Sequence, residues 1–241
     1  MITADPSAPG PRLFSAGAAL GLVREFAETF FGTSGNALDA TFGAVGAIAE
    51  KLAAGETPDL IILTRPMIDK LVAEGRVRAD TVADLGVVQT GVAVRTADPT
   101  PEVADAASLR TALRMAEGIY FPDPVKATAG IHFASVVDRL GIRHEVEGCF
   151  RTFPNGATAM RELAQARGGV LIGVTQVTEI LYTPGVRLVS LLPPELGLAT
   201  TYTIGAFTGA TDVALRFARE LAGPALRAAR ERAGFNAGVN N

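Results

Sequence analysis

The stretch TFGAVGAIAEKLAAGETPDLIILTRPMIDKLVAEGRV, residues 41–77, indicates the fold class of this chain. Its centre, Asp59–Thr64, is a continuous apolar run bounded by prolines, which is typical of a parallel strand buried on both faces. Apolar residues at helical spacing precede and follow this run, in segments that end at Gly55 and Gly75. A strand–helix–strand order with short connections predicts parallel pairing and right-handed crossovers.

The same alternation continues along the chain and predicts an α/β fold. Further extended segments are predicted at Leu13–Ser15, Ala40–Phe42, Ile119–Phe121, Val146–Phe153 and Val170–Val174. Further helices are predicted after Gly17 with Leu20, Val23, Ala27 and Phe30 on one face, over 108–117 with Ser108 as the N-cap, over Thr128–Leu140, after the capping residue Asn155, around Val213, Phe217 and Leu221, and over Pro224–Ala233.

Two extended stretches, Gly91–Thr96 and Thr200–Phe207, predict crossings between two lobes. Each lobe is then a mostly parallel sheet flanked by helices. The predicted boundaries are 12–90 with 206–241 for lobe 1, 97–199 for lobe 2, and hinge strands at about 91–96 and 200–205. One continuous α/β sheet without a cleft is the alternative that the periodicity leaves open.

Composition narrows the classes of function. The chain has 241 residues, with 22 Lys and Arg against 25 Asp and Glu, so its formal net charge of −3 offers no basic surface for nucleic acid. A single cysteine and two histidines exclude an internal disulfide and argue against a Cys- or His-rich metal centre. Because the phosphate-loop, dinucleotide, nucleophile-elbow and zinc-protease motifs are missing, neither a metal nor a cofactor is expected.

The first residues, 1–12, are polar and Pro-rich, without the basic start and apolar core of a secretory signal. We therefore expect a cytoplasmic location for the sequence as it stands, and a periplasmic one if a signal peptide has been removed. No run reaches the roughly 18 apolar residues that span a bilayer, so membrane insertion is not expected.

Small-residue loops at the ends of predicted strands carry the main chemical signal. A helix amino terminus presents unpaired N–H donors and the positive end of its dipole, so it favours anions. Small residues let a ligand approach this backbone, and in an open α/β sheet such loops meet outside the strand ends. The loops with this pattern are Ser15-Ala16-Gly17, Gly43-Ala44-Val45-Gly46, Ala127-Thr128-Ala129-Gly130 and Thr175-Gln176. Together they predict one anion-sized pocket, although any one of them is equally explained as turn chemistry.

The sequence resembles the type II periplasmic substrate-binding proteins, in the molybdate-binding-protein-like branch, over about Leu13–Phe235. The resemblance rests on LFSAGA (13–18), the stretch quoted above (41–77), YFPDPVKATAGIHFASVVDRLGI (120–142) and GVLIGVTQVTEIL (169–181). It implies two α/β lobes that are joined by two hinge strands and close on a ligand. The ligand-binding positions that it implies are Ser15, Gly43, Ala44, Arg65, Lys126, Thr128, Ala129, Gly130, Val174, Thr175 and Gln176, and Tyr202 in the predicted hinge is a further candidate.

A carboxylate fits these positions better than a tetrahedral oxyanion. Oxyanion binders of this kind usually offer hydroxyl groups at the second loop, where this chain has Ala44 and Val45. Arg65 and Lys126 are cations beside strand ends, and a guanidinium binds carboxylates well. A surface salt bridge is the alternative interpretation of Arg65. The leading hypothesis is a binding protein of the ABC-transporter type, or its signal-less relative, for a small anionic organic ligand; an ABC permease is the partner implied for an exported member.

The same branch includes proteins similar to aconitate isomerase, which moves a double bond by proton transfer on a polycarboxylate. That chemistry requires cations for the carboxylates and a base near the carbon acid, without a cofactor. The candidate bases are His132, Glu179 and Tyr202. The structural alternatives are a packed His132, a solvated surface pair of Glu179 with Gln176, and a structural role for Tyr202 in the predicted hinge. An intracellular sensor that a partner protein recognises is a third hypothesis, which no sequence motif supports.

Overall fold

The computed structural model describes residues 10–32 and 37–236, so most of the predicted polar leader lies outside the described residues. The strands are β1 (Arg12–Ala16), β2 (Asp39–Gly43), β3 (Leu60–Thr64), β4 (Ala83–Arg95), β5 (Gly118–Pro122), β6 (Phe150–Phe153), β7 (Leu171–Gln176), β8 (Val186–Leu191) and β9 (Ala199–Ala206). The helices are α1 (Leu20–Phe31), α2 (Val45–Ala53), α3 (Arg65–Ala73), α4 (Ala106–Met115), α5 (Thr128–Arg139), α6 (Arg143–Val146), α7 (Gly156–Gln165), α8 (Val177–Tyr182), α9 (Asp212–Ala222) and α10 (Arg227–Arg232). In the ranges described, no helix has the length and apolar character that crossing a bilayer requires.

The chain divides into two compact units. The first contains the described residues of Met1–Phe42, Ile48–Val87 and Thr201–Asn241, and the second contains Gly43–Ala47 and Val88–Thr200. The chain passes from one unit to the other within β4 and again within β9. The lobe and hinge boundaries drawn from the sequence stay a prediction.

The first unit is built on a sheet with the strand order β2-β1-β3-β9. β1 and β3 are parallel, with Leu13 opposite Leu60, whereas β3 and β9 are antiparallel, with Thr64 opposite Tyr202. The apolar run predicted to be a buried strand is β3, whose residues Leu60–Leu63 are all fully buried. That prediction is confirmed.

The second unit has the strand order β4-β7-β5-β6, and β8 pairs with the other edge of β4. β7, β5 and β6 are parallel, as the sequence predicts, whereas β4 is antiparallel to both β7 and β8. Side chains alternate between two cores. Val92 and Val174 face α5 and its residue Phe133, and Ala93 faces α7 and its residue Met160.

Several local predictions are wrong. Residues 146–149, the first half of the extended segment predicted at Val146–Phe153, are helical, and the strand begins only at Phe150. α4 begins two residues early, because Asp105 is the N-cap and Ser108 completes a capping box with it. The buried residues of α1 are Leu22, Val23 and Phe26, whereas Leu20, Ala27 and Phe30, predicted to share one face with Val23, are half-buried. A 3₁₀ turn over Gly17–Ala19 precedes the helix.

Gly130 allows α5 to pack against the end of β5. A Cβ atom at this position would lie 2.2 Å from the carbonyl oxygen of Asp123 and 2.3 Å from that of Pro122. Because both neighbours are backbone atoms, they have little freedom to move away.

We expect Gly130→Ala to lower the free energy of unfolding by about 1–3 kcal/mol, the usual cost of overpacking. The matched control is Gly148→Ala, where a Cβ would meet no atom within 4 Å, and it should change stability by about 0.5 kcal/mol or less. Urea denaturation of both variants measures the difference, and equal stabilities would contradict the packing argument.

Candidate functional site

Three parallel strands of the second unit have their carboxyl ends at the same end of its sheet. β5 and β6 are in register to their last residues, Pro122 and Phe153. β7 pairs with β5 on the side away from β6. The helices α5, α7 and α8 follow β5, β6 and β7 in turn. Because each helix amino terminus presents N–H donors and a positive partial charge, this edge favours negative charge.

The amino terminus of α5 lacks a side-chain cap. Its N-cap residue, Ala127, makes no capping hydrogen bond, and its first turn contains no acidic residue. By contrast, side chains of Asp105, Asn155 and Thr211 accept backbone N–H bonds at the starts of α4, α7 and α9. The first turn of α5 can therefore donate to an anion from outside the helix.

The loop before α5 is ordered by Asp123. Its Oδ1 atom accepts the N–H groups of Val125 at 2.7 Å and Lys126 at 3.0 Å. The Lys126 carbonyl oxygen accepts the N–H of Gly46 at 2.9 Å, and the segment Gly43–Ala47 groups with the second unit. The second unit therefore contains these predicted binding residues: Gly43, Ala44, Lys126, Thr128, Ala129 and Gly130.

The predicted residues at the end of β7 are buried in the same unit. Val174 and Thr175 are fully buried and Gln176 is 2% exposed. Thr90 lies opposite Gln176 in the pairing of β4 with β7. Since side chains alternate along a strand, Gln176 and Thr90 lie on the α5 side of the sheet, and Thr175 lies on the α7 side.

Two polar residues near Gln176 were missed in the sequence. The hydroxyl groups of Thr90 and Thr178 are buried and have no hydrogen-bond partner within the described part of the chain. Thr90 belongs to the first half of β4, which no apolar run predicted, and an isolated threonine carries no signal of its own. A buried hydroxyl without a partner costs about 1–3 kcal/mol, so these two mark a polar corner at the end of β7.

Glu179 is buried on α8, with 5% exposure, so the predicted solvated pair with Gln176 is wrong. Its Oε2 atom accepts the Thr175 hydroxyl at 2.6 Å, and its Oε1 atom accepts the Ala157 N–H at 3.3 Å. The backbone N–H groups of Gly156 and Gln176 lie near the carboxylate and help to lower its pKa. Burial raises the pKa of Glu179 above its usual value, and these hydrogen bonds offset the effect only in part. The carboxylate thus occupies the amino terminus of α7.

His132 is bound to the backbone. Its Nε2 atom lies 2.8 Å from the carbonyl oxygen of Leu196. Because a carbonyl oxygen only accepts hydrogen bonds, Nε2 carries the proton and Nδ1 is the nitrogen that can accept one. The contact favours the interpretation of His132 as a packed residue of α5.

The predicted binding residues Ser15, Arg65 and Tyr202 belong to the first unit. The buried Ser15 hydroxyl donates to the carbonyl oxygen of Ala16 at 2.9 Å. Tyr202 is 2% exposed, and its ring contacts that of Phe235 edge-on at 6.4 Å between centroids. The ligand-binding roles of Ser15 and Tyr202 stay predictions.

Arg65 begins α3 directly after β3. Its Nε atom donates to Asp69 at 2.8 Å and its Nη1 atom donates to Asp84 at 3.2 Å. Asp84 also accepts the Thr203 hydroxyl at 2.6 Å. The bonds to Asp69 and Asp84 raise the pKa of the guanidinium, which is 46% exposed. The structure therefore favours the surface salt bridge as the interpretation of Arg65.

No set of three or more His, Cys, Asp or Glu side chains in residues 10–32 and 37–236 is placed to hold a metal ion. The chemistry that the polar corner of the second unit offers is therefore that of backbone N–H groups, threonine hydroxyls, the Gln176 amide and one buried carboxylate.

Comparison with known proteins gives consistent matches. Residues 11–236 match a protein-family model described as "Bacterial extracellular solute-binding protein". An aconitate isomerase from a Pseudomonas species is 27% identical over 197 residues, which are 79% of this chain and 73% of that protein. The periplasmic molybdate-binding protein of Azotobacter vinelandii has a TM-score of 0.76 at 16% identity, covering 95% of this chain and 99% of that one. Campylobacter jejuni PEB3 with bound L-phospholactate has a TM-score of 0.67 at 13% identity, covering 95% and 100%.

The buried carboxyl of Glu179 predicts a specific pH dependence of stability. Its pKa in the fold lies above the ordinary value of 4.5, so the folded state favours the protonated form. Its stabilising contribution is full below about pH 4.5 and is lost as the pH rises through the folded pKa.

We expect the free energy of unfolding of the wild type, relative to that of Glu179→Gln, to fall as the pH rises from about 4.5 toward neutrality. Urea denaturation of both proteins across this range measures it. A difference that grows with pH would mean that the hydrogen bonds outweigh the burial of the charge.

Proposed function

The chain belongs to the bacterial extracellular solute-binding protein family, and on that premise we propose that it binds a small organic anion that carries a carboxylate. The observation that supports this proposal is the uncapped amino terminus of α5 beside the polar end of β7. N–H groups of the first turn would receive the carboxylate, as helix amino termini generally do for anions. Gln176 and its neighbouring hydroxyls would then contact the rest of the ligand.

A carboxylate suits this set of donors better than a tetrahedral oxyanion. At the second loop the side chains of Ala44 and Val45 offer no hydroxyl donor to a third or fourth ligand oxygen. The exposed Lys126 adds positive charge to the loop before α5. PEB3, which has the same fold, is known with L-phospholactate bound, an organic anion with both a carboxylate and a phosphate, and the Azotobacter protein is named for molybdate, so proteins of this fold bind organic as well as inorganic anions.

A transport role would place the protein outside the inner membrane, with an ABC permease as its partner. An intracellular role would require neither export nor a permease. Fractionation of the cells that make the protein distinguishes the two locations, and recovery in the cytoplasm would exclude the transport role.

Calorimetry tests the ligand class directly. We expect succinate, citrate or cis-aconitate to bind, and molybdate, sulfate and phosphate to bind at least about tenfold more weakly. If only a tetrahedral oxyanion binds, the proposed ligand class is wrong.

Thr128→Asp tests the α5 amino terminus. The new carboxylate would occupy the first turn, stabilise the helix by about 0.3–1 kcal/mol and repel an anionic ligand. We expect the affinity for the carboxylate to fall at least about tenfold without loss of stability. Thr111→Asp adds the same charge on the exposed surface of α4 and should leave the affinity within about twofold; equal losses in both variants would show a general charge effect only.

Arg65→Gln tests whether the Arg65 guanidinium contributes to binding. Because it is committed to Asp69 and Asp84, we expect unchanged carboxylate affinity and a stability change of about 1 kcal/mol or less. The matched control is Arg114→Gln, which breaks a similarly exposed pair with Glu145. A tenfold loss of affinity in Arg65→Gln alone would return Arg65 to the binding site.

An isomerase is the second candidate function, favoured by the 27% identity to an aconitate isomerase. A base would remove a proton from carbon and return it at another position while the carboxylates are held. His132, through Nδ1, is the candidate base, since both Glu179 oxygens already accept hydrogen bonds. Incubation with cis-aconitate, followed by NMR, should then give the trans isomer, with loss of turnover in His132→Ala. If the protein converts none of the unsaturated carboxylates tested, the isomerase function is excluded.

A further inference from the structure

The Glu179 carboxylate joins three elements of the second unit. It contacts the first residues of α7 through Gly156 and Ala157, the last residues of β7 through Thr175 and Gln176, and it belongs to α8. At the end of α8, the hydroxyl of the C-cap residue Thr183 donates to the Glu179 carbonyl oxygen at 2.7 Å. The side chain thus links a helix start to the strand end that the proposed ligand uses.

Gly156 leaves space for this carboxylate. A Cβ atom at position 156 would lie 1.9 Å from Glu179 Oε2 and 2.0 Å from the Thr175 hydroxyl oxygen. The space that a side chain at the first position of α7 would fill is therefore occupied by the Glu179 side chain of α8. Such a close fit fixes Thr175 and Glu179 relative to the backbone of α7.

The contacts of the carboxylate are neutral groups. A hydroxyl and backbone N–H groups are the donors that oppose the effect of burial, and no cation contributes among the described residues. Burial of a carboxylate without a cation is unfavourable, and an apolar side chain of similar volume is often more stable in such a place. The stability of the fold alone therefore does not explain why a glutamate is buried at position 179.

We propose that Glu179 is a positioning residue for ligand binding, whose carboxylate holds the Thr175–Gln176 end of β7 against the amino terminus of α7. Gln176 acts on the ligand, and Glu179 acts on Gln176 through the preceding residue, Thr175, from whose hydroxyl it accepts a hydrogen bond at 2.6 Å. This inference rests on the proposed function for its ligand. It assigns Glu179 a role other than that of a base.

The experiment removes the carboxylate and returns it from solution. Glu179→Ala, Glu179→Gln and wild type are compared with and without formate, by amide hydrogen exchange at Ala157 and Gln176 and by calorimetry with succinate, citrate and cis-aconitate. Wild type in the same formate buffer corrects for competition at the ligand site. Thr183→Val is the matched control, because it removes a buried hydrogen bond from α8 and leaves the carboxylate intact.

We expect Glu179→Ala to lose amide protection at both positions and at least about tenfold in affinity, and formate to restore both. Glu179→Gln, which keeps the shape, should lose about threefold or less. Thr183→Val should lower Tm by about 2–4 °C and leave the affinity unchanged. If Glu179→Ala does not fold, Thr175→Val removes one partner of the carboxylate and should lose affinity in the same direction.

Two results overturn the inference: normal Gln176 protection in Glu179→Ala, or unchanged affinity in a variant that has lost protection. A wild type that binds no carboxylate overturns the proposed function instead. Amide exchange at Gln176 then still decides whether Glu179 positions the end of β7.

Discussion

Parallel strands can be connected only by crossovers, and this constraint determines the chemistry of the second unit. Because β5, β6 and β7 are parallel, the helices that follow them all begin at the same edge of the sheet. Negative charge stabilises the end of a sheet at which several helices begin. The chain supplies part of it internally: Glu179 occupies the start of α7, whereas the N-cap residue of α5 makes no side-chain hydrogen bond and the first turn of α5 contains no acidic residue.

The family and the locally coded elements were predictable from the sequence. The resemblance to molybdate-binding-like periplasmic proteins is confirmed by the family match and the fold. The buried strand at 59–64 and the cap at Asn155 are confirmed because an apolar run and a capping side chain act over a few residues. β8 and the first half of β4 were missed because they depend on pairing with distant strands. Their residues mix polar and apolar types without a clear period.

The site was less predictable than the fold, since residue type does not reveal what a side chain contacts. Arg65 has the position of a ligand-binding cation, yet two carboxylates that are four and nineteen residues away engage it. Glu179 has the spacing of a surface residue, yet donors at 156 and 157 enclose it. Asp69 lies on the same helix as Arg65, whereas Asp84 and the residues that donate to Glu179 belong to other elements. Small residues at strand ends depend less on distant partners, because they indicate where a ligand can approach the backbone itself.

The contact between Gly156 and Glu179 has an evolutionary consequence. A methyl group at position 156 and a carboxylate at position 179 exclude one another, so position 156 cannot gain a side chain while Glu179 is present, whereas position 179 can change beside Gly156. Homologues with a side chain at 156 should therefore have a shorter residue at 179. The pair forms a sequence marker, 23 positions apart, that separates relatives with an internal carboxylate at this helix from relatives without one.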